Sequence, residues 1–340
     1  MFKKQLTLYI TIIALIVLII VSYLYSKSNV KSPIYIHDER FENAIIAEGI
    51  DVSYYQGEDI DWDAIKDDGI DFVMIRCAYR GSESGELEID KYYKENLDNA
   101  IKSDLMVGAY IYSQAITEEE AIEEANFLLA LVEDKKITMP LVIDYEIYED
   151  GRLDKAIQNK DLNKNTITDI CLAFCKVIEN NGYESMVYGN RNFLIKSHDT
   201  NRLEKETTIW MANYTNQTNY GGDYSIWQYT SLGLVSGLDG NVDKNFWYID
   251  KDDPVQNVDD NKTDINECSI KPDDDSYLYL GREIKPQVIC EHNGELLIEN
   301  EDYYISYINN TSSGEGQIIL KGIGNYTGRT ILSFNIHSLF

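Results

Sequence analysis

Met139-Pro140-Leu141-Val142-Ile143-Asp144-Tyr145-Glu146 is a short apolar run that ends in two acids two positions apart. An unbroken run of this length, rich in Leu, Val and Ile, reads as a strand covered on both faces, as in a parallel sheet. Successive side chains on a strand point to opposite faces, so Asp144 and Glu146 leave it on the same side. An Asp-x-Glu alone is weak evidence, because acidic pairs on exposed strands are common. The apolar residues from Met139 to Ile143 argue against a solvated face here.

Outward from this run, the middle of the chain alternates short β-rich segments with helical ones. Strands are expected at Ile50–Tyr54, Phe72–Tyr79, Met106–Ser113, Leu141–Ile147, Ser185–Tyr188, Thr208–Ala212, Ser225–Tyr229 and Asn241–Phe246. Helices are expected over Tyr92–Ser103, over Glu118–Glu133 behind a capping box of Thr117 and Glu120, and over Asn165–Asn181, closed by Gly182. Strands alternating with helices imply a parallel sheet. Eight of them imply an α/β fold, a closed (β/α) barrel made irregular by the thinning of helices after the fifth strand.

In such a barrel the working residues stand at the carboxyl ends of the strands. Four acids lie there: Asp51 on the first strand, Asp144 and Glu146 on the fourth, and Asp243 on the last. Hydrolysis of a glycosidic bond needs one carboxyl group held protonated, to give its proton to the leaving oxygen. Burial and a second nearby carboxylate both raise a carboxyl pKa, which is what the 144/146 pair offers. Tyr79, Tyr112, Tyr188, Trp210, Asn213 and Gln228 fall at the same strand ends. Their rings suit sugar faces and their amides suit hydroxyl and acetamido groups. The competing reading is that about half of the tyrosines here only pack, as large aromatic side chains commonly do.

These segments resemble glycoside hydrolase family 25, the Chalaropsis-type lysozymes. The resemblance rests on Gly-Ile-Asp-Val-Ser-Tyr-Tyr-Gln-Gly at 49–57, Asp-Trp at 61–62 and Gly-Ile-Asp-Phe-Val-Met-Ile-Arg at 69–76. It continues through Val-Gly-Ala-Tyr-Ile-Tyr-Ser-Gln-Ala at 107–115, Pro-Leu-Val-Ile-Asp-Tyr-Glu at 140–146 and Ile-Trp-Gln-Tyr-Thr-Ser at 226–231. It implies hydrolysis of the β-1,4 bond between N-acetylmuramic acid and N-acetylglucosamine, with peptidoglycan strands as substrate and no cofactor. By position, Glu146 is the expected acid/base, and Asp144 its partner that orients the substrate acetamido group or steadies positive charge. Asp51 and Asp243 are expected to act as electrostatic and binding groups. The sequence departs from the family pattern at Lys102-Ser103-Asp104, before the third strand, and at the bulky Tyr145 between the two acids. A glycan-binding protein without catalysis is the alternative on the same fold. A chitinase is disfavoured, because Pro140 and Val142 stand where that family carries further acids.

The flanks read differently. Lys3 and Lys4 precede an uncharged apolar stretch from Leu6 to Tyr25, and about 20 such residues span a bilayer as a helix. Residues 1–26 therefore read as a retained signal anchor, with an extracellular catalytic domain, or a secreted one if the segment is cleaved. Residues 27–47 read as a stalk, 48–250 as the barrel, and 251–267 as an acidic linker. Residues 268–340 read as short strands and turns, a small all-β domain. Its segments at 301–307 and 322–328 resemble an immunoglobulin-like module of bacterial surface proteins.

Of 340 residues, 58 are acidic and 30 basic, a net charge of −28. That balance disfavours nucleic acid, which needs clustered cations. The four histidines and five cysteines form no HExxH or CxxC, so no metal site is expected. Cys77, Cys171 and Cys175 read as buried apolar residues, while Cys268 and Cys290 are placed so that they could pair.

Overall fold

The computed structural model describes residues 34–250 and 262–338. The expected membrane anchor and most of the acidic linker lie outside the described residues. Among the described residues no helix is long and apolar enough to cross a membrane.

One sheet holds β1 (Ile45–Val52), β2 (Phe72–Arg80), β3 (Leu87–Ile89), β4 (Met106–Ser113), β5 (Leu141–Tyr145), β6 (Ser185–Asn190), β7 (Thr208–Ala212), β8 (Ile226–Gly233) and β9 (Val242–Ile249). The order is β1-β9-β8-β7-β6-β5-β4-β2-β3. Because β1 also pairs with β2, every strand but β3 joins a closed ring of eight. The strands from β1 to β8, β3 aside, run parallel, as expected. The last does not: β9 is antiparallel to both β8 and β1. A parallel return needs a crossover of about a dozen residues or more, and the short 234–241 segment leaves a hairpin as the only connection. β1 begins at Ile45, inside the expected stalk, and pairs there with Ile249.

The helices are α1 (Trp62–Asp67), α2 (Tyr93–Lys102), α3 (Glu118–Val132), α4 (Arg152–Gln158), α5 (Lys164–Asn180), α6 (Arg191–Ser197) and α7 (Thr200–Glu206). α5 starts on Asn163, whose side chain accepts from the Asn165 and Thr166 amides, and it buries Ile167, Ile170, Cys171, Phe174, Cys175 and Ile178 along one stripe. It closes before Gly182, whose φ of +80° is the left-handed geometry that favours glycine. At α3, Thr117 caps the Glu120 amide, but the capping box is not reciprocal. Glu120 Oε2 accepts instead from the Ile116 amide, and the same carboxylate pairs with Arg152. After β6 only two α-helices of 7 residues each follow, both before β7, and none separates β7 from β8 or β8 from β9 among the described residues. This is the irregularity expected of the barrel.

The remaining strands are β10 (Thr263–Asp264), β11 (Ser269–Pro272), β12 (Ser276–Leu278), β13 (Val288–His292), β14 (Glu295–Leu296), β15 (Tyr303–Ile308), β16 (Gly314–Gly322), β17 (Tyr326–Thr327) and β18 (Arg329–His337). They form an all-β tail of small sheets, ordered β12-β18-β16-β15, β11-β13-β14 and β10-β17. Ile265, Cys290, Tyr303, Ile318, Leu320, Phe334 and Ile336 make its core. Cys268 and Cys290 carry free thiols.

The tail is seated against the barrel. Ile308 and Ile319 are buried in the same apolar cluster as Ile45, Phe72 and Met106, at the amino ends of β1, β2 and β4. Burying two such side chains contributes about 1.5–3 kcal/mol each. Polar contacts fix the seat. The Asn309 amide donates to Asp71 Oδ1 at 2.9 Å, Lys66 Nζ to the Tyr307 carbonyl at 3.2 Å, and Lys136 Nζ to the Ile305 carbonyl at 3.1 Å. Asp104, one of the departures from the family pattern, has a φ of 55° and pairs with Lys285 of the tail.

Candidate active site

The tail covers the amino ends of β1, β2 and β4, and the mouth that holds the four acids lies at the opposite end of the barrel. Alternation along β5 sends Val142 and Asp144 inward and Tyr145 outward. Tyr145 is fully buried against Phe193 and His198, and its hydroxyl donates to the Ala115 carbonyl at 2.6 Å. The bulky residue between the two acids therefore stands outside the barrel and does not obstruct them. Register carries one layer across the interior: Tyr112 lies beside Asp144, Asp144 beside Tyr188, and Tyr188 beside Trp210.

Above this layer a cleft of about 590 Å³ is lined by Asp51, Asp144, Glu146, Asp243, Tyr79, Tyr112, Tyr188, Trp210 and Gln228. Asn213 lines an adjoining arm of about 390 Å³, which shares Glu146, Tyr188 and Tyr214 with the cleft. All ten residues picked from the sequence thus converge on one continuous opening. Hollows elsewhere, such as the one of about 650 Å³ at the amino ends of β6 and β7, hold none of the four acids.

The acids are held differently. Asp51 is buried, and its Oδ2 accepts from Gln228 Nε2 and Asn245 Nδ2, both at 2.8 Å. Burial, then the charge of Asp243 opposite it on β9, push its pKa up to about 8 against those two bonds. Glu146 sits one residue past β5. Burial, then Asp243, raise it to about 7, and a bond from the Asp144 carboxyl opposes the rise. Asp144 is raised well above the ordinary carboxylate range, first by burial and then by Glu146 and Asp51, with Arg76 pulling the other way. Burial lifts Asp243 to about 6. Asp144 and Glu146 are thus a coupled pair that keeps a proton near neutrality.

Asn245, Arg76, Tyr54 and Tyr55 frame the site and were not picked out from the sequence. Asn245, fully buried on β9, links Asp51 to the Trp210 indole, which donates to Asn245 Oδ1 at 2.8 Å. It stands two residues past Asp243, so strand alternation would have put it on the same face. Tyr214 and Tyr188 both donate to Gln228 Oε1, at 2.8 and 2.9 Å. Arg76 pairs with Asp90 at 2.8 Å and lies 4.9 Å from the Tyr54 ring centre and 5.8 Å from that of Tyr55. Those two rings sit 4.1 Å apart at the rim, and Tyr55 is 74% exposed. Buried Arg76 Nη2 and Asp144 Oδ1, both in residues that line the cleft, have no hydrogen-bond partner in the protein.

The expected aromatics play unequal parts. Tyr112 is partly open to the cleft, and Tyr79 lies at its edge with its hydroxyl on Glu88 at 2.8 Å. Trp210 is 1% exposed and forms the floor, its ring edge-on to Tyr188 and Tyr110. Asn213 orders its own loop, its Oδ1 accepting from Thr218 Oγ1 at 3.2 Å and from the Asn219 amide at 3.4 Å. Among the described residues no group of His, Cys, Asp or Glu is arranged to hold a metal ion.

The model of the glycosyl hydrolases family 25 matches residues 50–238. The chain is similar to YegX of Escherichia coli strain K12, 29% identical over 205 residues, which are 58% of this chain and 68% of YegX. It is also similar to Lysozyme M1 of Streptomyces globisporus, 23% identical over 207 residues, 58% of this chain and 66% of that one. Among solved structures, the modular autolysin LytC of Streptococcus pneumoniae, in complex with a synthetic peptidoglycan ligand, superposes with a TM-score of 0.51 at 26% identity. That likeness covers 60% of this chain and 47% of LytC, so the chain spans about half of LytC's length.

Proposed function

The chain belongs to the glycosyl hydrolases family 25, and on that premise we propose that it is a peptidoglycan muramidase with Glu146 as its general acid. The bond cut is the β-1,4 link from N-acetylmuramic acid to N-acetylglucosamine. The observation that carries the reading is the coupled pair Asp144–Glu146 at the end of β5, Asp144 buried and Glu146 half-buried in the cleft, with pKa values pushed upward. The family match, the lysozyme among the relatives and the peptidoglycan ligand of LytC support the same substrate class.

The chemistry follows from the placement. Glu146 gives its proton to the glycosidic oxygen as the bond from that oxygen to muramyl C1 breaks, and the glucosamine side leaves as an alcohol. Positive charge grows at C1 and on the ring oxygen, where Asp243, and Asp144 when the proton the pair shares lies on Glu146, stabilise it. Asp144 also orients the 2-acetamido group, and Asp51, tied to Gln228 and Asn245, fixes the floor beneath. Water supplies the new bond at C1 and returns a proton to Glu146, so one water is consumed per bond cut.

Outside the barrel, residues 1–26 are read as a signal anchor, from Lys3, Lys4 and the apolar stretch after them. That places the barrel, 48–250, and the immunoglobulin-like tail, 268–340, at the outer cell surface, where wall glycan lies. Protease treatment of intact cells tests it: loss of the barrel from the outside supports this orientation, and full protection counts against it.

The deciding experiment incubates the purified chain, beside its Glu146→Gln variant, with purified peptidoglycan and assigns the new reducing ends by mass spectrometry. N-acetylmuramic acid ends released by the native protein and not by the variant are expected. If both proteins sediment with the wall and neither releases fragments, the chain binds glycan without cutting it.

A further inference from the structure

The barrel and the segment leading into it carry arginines at 40, 76, 80, 152, 191 and 202. Five of them pair with a carboxylate: Arg40 with Asp223, Arg76 with Asp90, Arg80 with Glu124, Arg152 with Glu120 and Arg202 with Asp169. Arg191 is the exception among these six. Its Nε and Nη2 donate to the Asn219 carbonyl at 3.3 and 3.2 Å, and its Nη1 to Asn192 Oδ1 at 3.3 Å. In a chain with almost twice as many acids as bases, a guanidinium that meets only neutral oxygens is unusual.

Its place gives it meaning. Arg191 lines the 390 Å³ arm that opens from the main cleft past Glu146, together with Asn190, Asn213 and Asn219. The wall is preset, because Asn213 Oδ1 holds Thr218 and Asn219, and Arg191 bridges that loop to β6. A neutral sugar ring has no need of a fixed cation, whereas a planar guanidinium matches a carboxylate with two parallel bonds. The charge left on the acids of the main cleft, Asp243 first, repels an anionic chain, and a cation on the far side of Glu146 offsets that repulsion where it stands.

We propose that Arg191 and the asparagines around it form a subsite that takes a carboxylate carried on the muramyl side group of the glycan. Two sources offer it: the free lactyl group of a muramyl residue without a peptide, and the acidic groups of a stem peptide. The proposal rests on the muramidase reading for the identity of the glycan, and on the arm's own geometry for the carboxylate.

The test uses the full chain carrying Glu146→Gln, so that strands bind without being cut, with and without Arg191→Gln or Arg191→Lys. Three glycans are compared: strands with stem peptides, strands stripped by an amidase to free lactyl groups, and stripped strands whose carboxyls are converted to methylamides. Arg191→Gln is expected to weaken binding of a carboxylate-bearing strand about tenfold, the size of one charge-assisted bond. It should leave the methylamide strands unchanged, and Arg191→Lys should recover part of the loss. Whichever of the first two strands loses affinity identifies the carboxylate. An equal loss on all three strands, or none on any, overturns the proposal. Cleavage is read separately, on the chain with Glu146 intact. Carboxylate-dependent binding without cleavage sinks the muramidase reading and keeps the subsite, whereas cleavage with native KM by Arg191→Gln on every strand does the reverse.

Discussion

Asn245 on β9 donates a 2.8 Å hydrogen bond to Asp51 on β1, and does so from a fully buried position. The same amide accepts from Trp210, so one side chain satisfies a carboxylate and an indole in the cleft floor. Asn245→Leu would strand the indole and leave Asp51 with Gln228 alone. The expected loss is about 2 kcal/mol in chemical unfolding, because a buried group left unpaired costs roughly 1–3 kcal/mol. Unchanged stability would mean that the floor finds other partners.

Glu146 must hold a proton to act as an acid, and its pKa is raised to about 7. Below that value the acid form prevails, so the alkaline limb of kcat/KM should fall as pH rises through about 7. Asp243→Asn removes a charge that raises Glu146 and should shift that limb to lower pH. A pH profile of muropeptide release from both proteins measures the shift, and a limb that does not move would detach Asp243 from the proton on Glu146.

Stability should also depend on pH through Asp51. Its carboxyl titrates ordinarily near 3.8 and at about 8 in the fold. The folded chain therefore holds this proton more tightly than the unfolded one, and the associated stability, present at low pH, is lost as pH rises from about 4 to about 8. Asp51→Asn lacks that slope. Compared with the native chain, the variant should gain stability at pH 8 relative to pH 4. Parallel curves of Tm against pH would contradict the burial ascribed to Asp51.

The tail and barrel share the apolar cluster around Ile308 and Ile319, so they should unfold together. Calorimetry of the native chain should show one transition for the two. Ile308→Asp, which puts a charge into that cluster, should cost several kcal/mol and separate the transitions. Two transitions in the native chain would make the seat weaker than its contacts imply.

Asp51, Asp144 and Glu146 were legible because each stands at or just past the carboxyl end of an apolar strand, and alternation then dictates which way it points; Asp243 stands at the amino end of β9 and reaches the same mouth because that strand runs antiparallel. Asp144 and Glu146 needed, beside their spacing, the apolar run from Met139 to Ile143 that precedes them. Direction was not legible: the run around Val242 reads the same whichever way it crosses the sheet, and the brevity of the 234–241 connection was the overlooked clue. Nor was the seat of the tail, since Ile308 and Ile319 alternate as any core residues of a small β domain would. Tyr54, Tyr55 and Arg76 lay inside quoted segments, but their stacking at the rim depends on a turn after β1 that spacing does not specify. Arg191 was hidden for another reason. A cation is notable only when its neighbours are known to leave it without an acid.

The antiparallel return of β9 has a mechanical side. It brings Ile249 beside Ile45, so the chain enters and leaves the barrel at the end covered by the tail, opposite the four acids. A pull on either end of the barrel segment is borne by the β1–β9 ladder from its far end and reaches Asp51 and Asp243 last. The mouth is thus the working tip of a tool gripped by its handle, free to advance along a strand whichever end is held.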